Sequence, residues 1–406
     1  ISSFVIDTTA PTVTQETAVT TPTNDTTPNY TFSTNEAGTI TYGGSCSSST
    51  TSAISGNNPI VLDSLIEGTY SNCTITVTDS LGHASSALSV STFVVDTTAP
   101  SVDNFTLSDT ELKAGDNATV TLVFSEVVAS FSSDDDINHP QGELPAMISD
   151  DNIRWTGTFT PTANTEDAGN ELSLANSYTD TAGNAGPSET TANYVIDTLA
   201  PSVSSFTLLP AALKAGDNAT VTLVFSEAVD NFTSNDDISL TNANGTLPAM
   251  ISADNKTWTG TFTPTADTED ASNTLSLGTN YTDTAGNAGP SETTANYVID
   301  TLAPSVSSIV ISATGLQNSF LNEDDVVSVT ATFSENVPVT GEPRLTLDIG
   351  GTNRAATYES GSGSTPLVFQ YTIQEEETDD SNGISIGADA FVLSGGTIKD
   401  AAGNNA

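Results

Sequence analysis

The chain has 406 residues, and its 51 Asp and Glu against seven Lys and Arg give a formal charge of −44 at pH 7. A field of that sign repels phosphate backbones and anionic lipids, which argues against nucleic acid and membrane surfaces as partners. No apolar run approaches the roughly 18 residues that a membrane-spanning helix needs. The first residues lack a basic, apolar-cored leader, so we expect a mature chain or a portion cut from a longer one.

One short motif recurs four times and divides the chain. It reads aromatic, Val, Ile or Val, Asp, Thr, any residue, Ala, Pro, and its acids are Asp7, Asp96, Asp197 and Asp300. The aromatic and β-branched residues predict the end of a strand, whereas the Asp and the Pro predict a turn. The spacings of 89, 101 and 103 residues predict about four small domains, each preceded by a hinge.

These hinges predict the domain boundaries. We expect domain 1 over residues 7–95, domain 2 over 96–196, domain 3 over 197–299 and domain 4 over 300–406. Residues 1–6 match the last strand of a domain, so they are predicted to be a stray strand that belongs to a preceding or neighbouring domain. Domain 4 is predicted to lack its last strand.

Domain 1 is the shortest and most divergent of the four. Its predicted strands cover residues 30–32, 39–42, 70–78 and 88–95. Cys46 and Cys73 are the only cysteines of the chain. Two thiols in one small β-domain of a secreted-looking chain predict a disulfide. The alternative is a pair of unpaired, buried cysteines.

Domains 2 and 3 are close copies, since residues 112–126 recur unchanged as residues 213–227. Within this segment apolar residues alternate with Thr, and a period of two is typical of a sandwich strand. Trp155 and Trp258 each lie in an alternating strand beside a Phe. We expect both to be core residues rather than ligand platforms.

The fold class follows from these repeats. Hydrophobic residues, 36% of the chain, alternate with Thr and Ser in short runs, as in half-buried strands. Domains of about 100 residues, each with about seven short strands and no helical periodicity, favour immunoglobulin-like sandwiches. We therefore predict an all-β tandem array of Ig-like β-sandwich domains that forms an extended rod.

A family resemblance is carried by four motifs: Asp-Thr-x-Ala-Pro, Phe-Ser-Glu, Phe-Thr-Pro-Thr and Asp-x-Ala-Gly-Asn. The series resembles the bacterial Ig-like repeats of large calcium-dependent surface adhesins and biofilm-associated proteins, over nearly the whole chain. Domain 1 departs from it, because Asp79-Ser-Leu-Gly-His83 stands in place of Asp-x-Ala-Gly-Asn. The resemblance implies a secreted, extended stalk with Ca²⁺ at the domain junctions and no catalytic role.

Strand order independently brings three recurring acids together. In a seven-strand sandwich the entry to the domain, the end of the second strand and the end of the sixth strand lie at one end. The predicted triads are Asp96, Glu126 and Asp180; Asp197, Glu227 and Asp283; Asp300, Glu335 and Asp400; and, in domain 1, Asp7, Glu36 and Asp79. Close carboxylates repel one another, and Ca²⁺ accepts six to eight oxygen ligands in irregular loops more readily than Mg²⁺ does. The alternative is that these acids cap turns and face water.

Other signals are weaker. The acidic runs Asp134–Asp136, Asp236–Asp237 and Glu375–Asp380 are predicted to be solvated loops, the first two with a further cation site as the alternative. His83 and His139 are the only histidines. Neither lies near a repeated Ser, Cys or carboxylate pair, so a hydrolase triad or a zinc site lacks its parts. We expect no enzymatic activity.

Three functions fit these observations. The preferred one is a structural stalk segment of an extracellular, calcium-stabilised bacterial adhesin, which mediates cell-surface attachment or biofilm formation and contacts only adjacent Ig-like domains. The first alternative is a filament subunit whose residues 1–6 complete domain 4 of the next copy. The second is a glycan- or protein-binding module that acts through domain 1. The sequence does not name the adhesion ligand.

Overall fold

A computed structural model describes residues 6–378 and 383–406. Strands make up 48% of it and helices 2%, so the predicted all-β class is confirmed. The chain forms two compact units, Ile1–Leu199 and Ala200–Ala406. Each unit contains two separate hydrophobic cores. No helix within the described ranges is long and apolar enough to cross a bilayer.

Domain 1, in the first unit, has nine strands. They are β1 (Val13–Thr17), β2 (Asn29–Thr34), β3 (Gly38–Gly43), β4 (Ser52–Ala53), β5 (Gly56–Val61), β6 (Gly68–Tyr70), β7 (Thr74–Thr78), β8 (Leu88–Ser89) and β9 (Phe93–Val95). Strands β1-β2-β5 form one sheet, β4-β3-β7-β8 form a second and β6-β9 form a third. The segment predicted as one strand over residues 70–78 is therefore two strands that belong to different sheets.

Domain 2 completes the first unit. Its elements are β10 (Val102–Leu107), β11 (Glu111–Lys113), β12 (Ala118–Phe124), β13 (Val128–Ala129), α1 (Ser133–Asp136), β14 (Ile137–Asn138), β15 (Gly142–Glu143), β16 (Arg154–Pro161), β17 (Glu166–Asn170), β18 (Ser173–Leu174), β19 (Thr179–Asp180), β20 (Glu189–Thr190) and β21 (Tyr194–Asp197). Strand β12 buries every second residue, from Ala118 to Phe124, as its period of two predicts. The last strand, β21, pairs in parallel with β11 and antiparallel with β17.

Domain 3, in the second unit, repeats this topology. Its elements are β22 (Val203–Leu209), β23 (Ala212–Lys214), β24 (Ala219–Phe225), β25 (Val229–Asp230), α2 (Ser234–Asp237), β26 (Ile238–Ser239), β27 (Gly245–Thr246), β28 (Thr257–Pro264), β29 (Glu269–Asn273), β30 (Ser276–Leu277), β31 (Thr282–Asp283), β32 (Glu292–Thr293) and β33 (Tyr297–Asp300). Strand β33 lies between β23 and β29, in the position that β21 has in domain 2.

Domain 4 has a different body. Its strands are β34 (Val306–Thr314), β35 (Val326–Val337), β36 (Val339–Thr340), β37 (Arg344–Ile349), β38 (Thr352–Ser360), β39 (Ser364–Thr372), β40 (Phe391–Val392) and β41 (Thr397–Ile398). Six of them form one sheet in the order β34-β35-β39-β38-β37-β40, and β36 pairs with β41. Strand β34 is therefore an edge strand.

The two tryptophans pack into the cores, as predicted. Trp155 meets the ring of Phe131 edge-on with 4.8 Å between centroids, and Trp258 meets Phe232 at the same distance. Both are partly buried against the core clusters of their domains. Edge-to-face contacts of this kind stabilise beyond the burial of area alone.

The prediction of solvated acidic loops is wrong at three positions. Asp136 and Asp237 are buried at the ends of α1 and α2, because each carboxylate accepts a hydrogen bond from a main-chain N–H four residues earlier, at 2.8 and 2.7 Å. The Glu377 side chain is only 7% exposed, and it accepts hydrogen bonds from Arg354 and from the Tyr371 hydroxyl. Asp379 and Asp380, from the same acidic run, lie outside the described residues.

Cys46 and Cys73 form the predicted disulfide, with 5.3 Å between their Cα atoms. Both lie in the core of domain 1. Replacing both by Ala should lower the stability of domain 1 by about 3 kcal/mol, because a closed loop of this length restricts the unfolded chain. Differential scanning calorimetry should show the unfolding transition of domain 1 at lower temperature while the other transitions stay in place. An unchanged thermogram, or no 2 Da mass change on reduction, would contradict this assignment.

Candidate metal centre

Three elements present the acids at the head of domain 2. Asp96 directly follows β9, Glu126 follows β12, and Asp180 ends β19. The end of β12 is tied to the hinge, because Ser125 N–H donates to Ser101 O and Ser101 N–H donates to Ser125 Oγ, both at 2.9 Å. Pairing of β13 with β19 then brings the segment after Glu126 alongside Asp180. Local strand pairing, and not an interaction between the acids themselves, therefore determines how close the three acids lie to one another.

The structure brings together three of the predicted triads within single compact units. In each, one carboxylate oxygen from every member lies within 4.8 Å of the other two. These triads are Asp7, Glu36 and Asp79; Asp96, Glu126 and Asp180; and Asp300, Glu335 and Asp400. For the remaining triad, Asp197 ends β21 in the first unit, whereas Glu227 and Asp283 belong to the second unit. Their convergence stays a prediction.

The last acid of each triad is buried and also closes a turn. Asp180 is 1% exposed and its Oδ1 accepts three main-chain N–H groups, from residues 182–184, at 2.7 to 2.9 Å. Asp400 is 3% exposed and accepts from Gly403 and Asn404 in the same way. The first part of the alternative, that these acids cap turns, therefore holds for Asp180 and Asp400. They do not face water, however, and each can still offer oxygen lone pairs to the cluster.

The electrostatics of the clusters favour neutralisation. Burial raises the pKa of Glu126, and the negative charges of Asp180 and Asp96 raise it further. Burial likewise raises the pKa of Glu335, with Asp400 and Asp300 adding to the effect. The pKa of Asp300 is raised by burial and by the charge of Asp400. In each case the charged form is disfavoured by desolvation and by like charges, which a bound cation would relieve.

The asparagine of the Asp-x-Ala-Gly-Asn motif was missed as a functional residue. The Asn184 side-chain amide donates to Asp180 Oδ2 at 2.8 Å and to the Asp96 carbonyl at 2.9 Å. Asn404 does the same for Asp400 and for the Asp300 carbonyl, at 2.7 and 2.8 Å. This amide therefore fixes the hinge against the buried acid. The sequence signal that could have identified this Asn is its constant position four residues after the Asp.

A fourth carboxylate, also missed, comes from the preceding domain. Glu269 lies directly opposite Asp300 in the antiparallel pair β29–β33, so the two side chains share one face of the sheet. Its charge raises the pKa of Asp300 and of Glu335, after the larger effects of burial and Asp400. At the head of domain 2, Glu67 accepts hydrogen bonds from the hydroxyls of Thr98 and Thr97, at 2.7 and 3.2 Å.

The triad of domain 1 has a different setting. His83 stands where the other domains have Asn, and its Nδ1 lies 2.8 Å from Asp79 Oδ2. The pKa of Asp7 is lowered by hydrogen bonds from the N–H and hydroxyl of Thr9. An ionised Asp7 is thus already stabilised locally, and a cation would relieve less repulsion here than at Glu126 or Glu335.

The donor set of each cluster consists of carboxylate oxygens held on loops and strand ends. Hard divalent cations prefer such oxygens, and Ca²⁺ accepts irregular geometry and mixed carboxylate and carbonyl ligands. The residues present therefore fit Ca²⁺. A Ca²⁺ ion held by these residues would neutralise their charges and link the hinge to the domain.

Comparison with family models matches two segments, residues 96–196 and 197–299, to the family described as Bacterial Ig-like domain. The chain belongs to the bacterial Ig-like domain family. The resemblance to bacterial Ig-like repeats, drawn from the four motifs, is thereby confirmed. Comparison of this Ig-like chain with curated proteins finds no match.

Several solved structures are similar to this Ig-like chain at low identity. The Escherichia coli adhesin FdeC is 16% identical over 75% of this chain and 93% of that one, with a TM-score of 0.28. Invasin, a bacterial integrin-binding protein, is 12% identical over 80% and 77%, with a TM-score of 0.27. A 1.5-MDa bacterial ice-binding adhesin is 18% identical over 66% and 86%, with a TM-score of 0.31. Likeness at these scores carries no argument about function.

The raised pKa values predict how stability depends on pH without calcium. A carboxyl whose pKa is raised by folding contributes stability below its ordinary pKa, and this is lost as the pH rises through the raised value. In EGTA at pH 7, Glu126→Gln and Glu335→Gln should therefore melt at higher temperature than the parent. The difference in melting temperature between each variant and the parent should narrow as the pH falls towards 4.5. The exposed Glu359 offers a control, Glu359→Gln. If the two cluster variants melt below the parent at pH 7, repulsion within the clusters is refuted.

Proposed function

We propose that this chain is a segment of an extracellular bacterial surface stalk whose tandem Ig-like domains are stiffened by Ca²⁺ at their junctions. The observation that carries the proposal is the convergence of a hinge acid with two acids of the domain that follows it. Membership of the bacterial Ig-like family and the tandem cores support a structural role. In this role the stalk holds an adhesive region away from the cell during attachment or biofilm formation.

The cation would act on the hinge. Asp300 belongs to the end of β33 in domain 3, whereas Glu335 and Asp400 belong to the body of domain 4. An ion bound to all three carboxylates ties the last strand of one domain to the next domain. The Asn404 amide makes a parallel link to the Asp300 carbonyl. Without the ion, like charges oppose the same arrangement, so the junction should be looser.

The chemistry suits an extracellular setting. Calcium sites of extracellular modules typically bind with dissociation constants of about 10⁻⁴ to 10⁻³ M, which matches the calcium supply outside cells. The net charge of −44 keeps such a chain soluble and attracts cations generally. The three clusters differ from the rest of this acidic surface because each contains a buried carboxylate and a hinge residue.

Removal of calcium tests the proposal. A ligand that binds only the folded state stabilises by about 2.7 kcal/mol per site at one hundred times its Kd. EGTA should therefore lower the melting temperature of the parent. It should also change the small-angle scattering profile in the way expected when the junctions become looser. Glu335→Gln should lose part of the calcium response of domain 4, whereas Glu359→Gln should keep all of it. If EGTA changes neither the melting curve nor the scattering profile, Ca²⁺ does not stiffen the junctions.

A further inference from the structure

A turn of domain 3 contacts the Asp-x-Ala-Gly-Asn turn of domain 4 directly. The Ala215 N–H, in the turn that follows β23, donates to the side-chain Oδ1 of Asn404 at 2.8 Å. Through its Nδ2, Asn404 donates to the Asp300 carbonyl and to Asp400 Oδ2, at 2.8 and 2.7 Å. Asn404 is only 4% exposed, and a buried amide needs such partners. Its oxygen is bonded to domain 3, and its nitrogen to the hinge and to domain 4.

The Asn404 amide lies at the end of a strand pair of domain 3. Strands β23 and β33 run parallel, and their last residues, Lys214 and Asp300, lie opposite each other. Directly beyond them the Asn404 amide accepts a hydrogen bond from Ala215 and donates one to Asp300. A main-chain peptide group between two strands accepts and donates in the same way. A side chain of domain 4 therefore joins the ends of two strands of domain 3.

The turn that presents the Ala215 N–H is held by bonds within domain 3. Asp217 N–H donates to the Lys214 carbonyl at 3.1 Å, and Lys214 N–H donates to Asp217 Oδ2 at 3.2 Å. Gly216 has a φ of +84°, as the third residue of a type II turn requires. The donor therefore has its place without any contribution from domain 4.

The junction between domains 1 and 2 has the same construction with different residues. Thr23 pairs in parallel with Val95, the residue before the hinge acid. The next residue, Asn24, donates its N–H to the Ala182 carbonyl of the domain 2 motif turn at 3.1 Å. Two junctions of unlike sequence thus make the same kind of contact, in which the segment parallel to the last strand donates to the motif turn of the following domain.

The glycine of each motif turn lies against the preceding domain. A Cβ at Gly403 would stand 3.5 Å from Lys214 Cδ, and a Cβ at Gly183 would stand 3.3 Å from Asn24 Nδ2. Both glycines have a positive φ, +101° and +99°, which L side chains rarely adopt. The motif turn therefore has a shape that lets the preceding domain approach it closely.

We propose that the hydrogen bond of Ala215 N–H to the Asn404 amide is an interdomain latch, which holds the junction of domains 3 and 4 in one orientation without a cation. Asn404 is then a positioning residue, because it keeps the hinge that carries Asp300 beside Asp400. The latch opposes the repulsion between these carboxylates and does not depend on the calcium of the proposed function. A cation would bind at a junction whose geometry the polypeptide already sets.

Ala215→Pro removes the latch donor and preserves the turn, because Pro lacks an N–H and is favoured at the second residue of a type II turn. Ala114→Pro is the matched control. Its turn, residues 113–116 of domain 2, has the same sequence, and Gly115 has a φ of +88°. Calorimetry should show that domain 3 of Ala215→Pro melts as in the parent.

Asn404→Ala removes the acceptor from the other side, so the latch is tested from both domains. Each variant is made in the full chain with spin-labelled cysteines in place of two exposed residues, Ile251 in domain 3 and Thr352 in domain 4. Pulsed electron paramagnetic resonance then measures the distance between the two labels, first in EGTA and then in saturating calcium.

In EGTA we expect one dominant distance for the parent and for Ala114→Pro. Ala215→Pro should raise the ratio of undocked to docked junctions about fivefold, the effect of losing one typical hydrogen bond, and Asn404→Ala should raise it at least as much. The double variant should be no more open than Asn404→Ala, because the bond that Pro removes is already lost.

A distance distribution that Ala215→Pro leaves unchanged, or a double variant more open than Asn404→Ala, overturns the latch. The calcium measurements separate this result from the proposed function. If Ala215→Pro opens the junction in EGTA but calcium alters none of the distributions, the latch is supported and calcium stiffening is refuted.

Discussion

Like charges held close together at the heads of domains 1, 2 and 4 are the constraint on which the rest of this structure depends. Strand pairing fixes the positions of Glu126 and Asp180, and a hinge turn fixes Asp96. The chain folds these acids together although burial and mutual repulsion disfavour their charged forms. Raised pKa values at the clusters of domains 2 and 4 are the repulsion that the proposed cation would relieve.

The surrounding structure is built to hold that arrangement. In domains 2 and 4 the buried Asp of the triad is fixed by main-chain N–H groups of its own turn, and the Asn four residues on donates to both the Asp and the hinge carbonyl. The hinge acid ends or directly follows the last strand of the preceding domain, whose alternate side chains are buried. The apolar core and the acidic cluster are therefore joined through one short segment, which couples domain stability to the junction.

The sequence allowed much of this to be predicted, for physical reasons. The triads follow from motif recurrence and strand order, since both are visible in a chain of near-copies. Glu269 was missed because its place depends on cross-strand register with Asp300, which local pattern does not determine. The burial of Asp136 and Glu377 was missed because an acidic run suggests solvation until its hydrogen-bond partners are known.

The most direct test is the number of calcium ions bound per chain, measured by equilibrium dialysis of the parent, Glu126→Gln and the double variant Glu126→Gln/Glu335→Gln. Each substitution removes one carboxylate from one triad and leaves the buried Asp that closes the turn in place. We expect the single variant to lose one calcium site and the double variant to lose two. Equal stoichiometry and affinity in all three proteins would contradict the assignment of these triads as calcium sites.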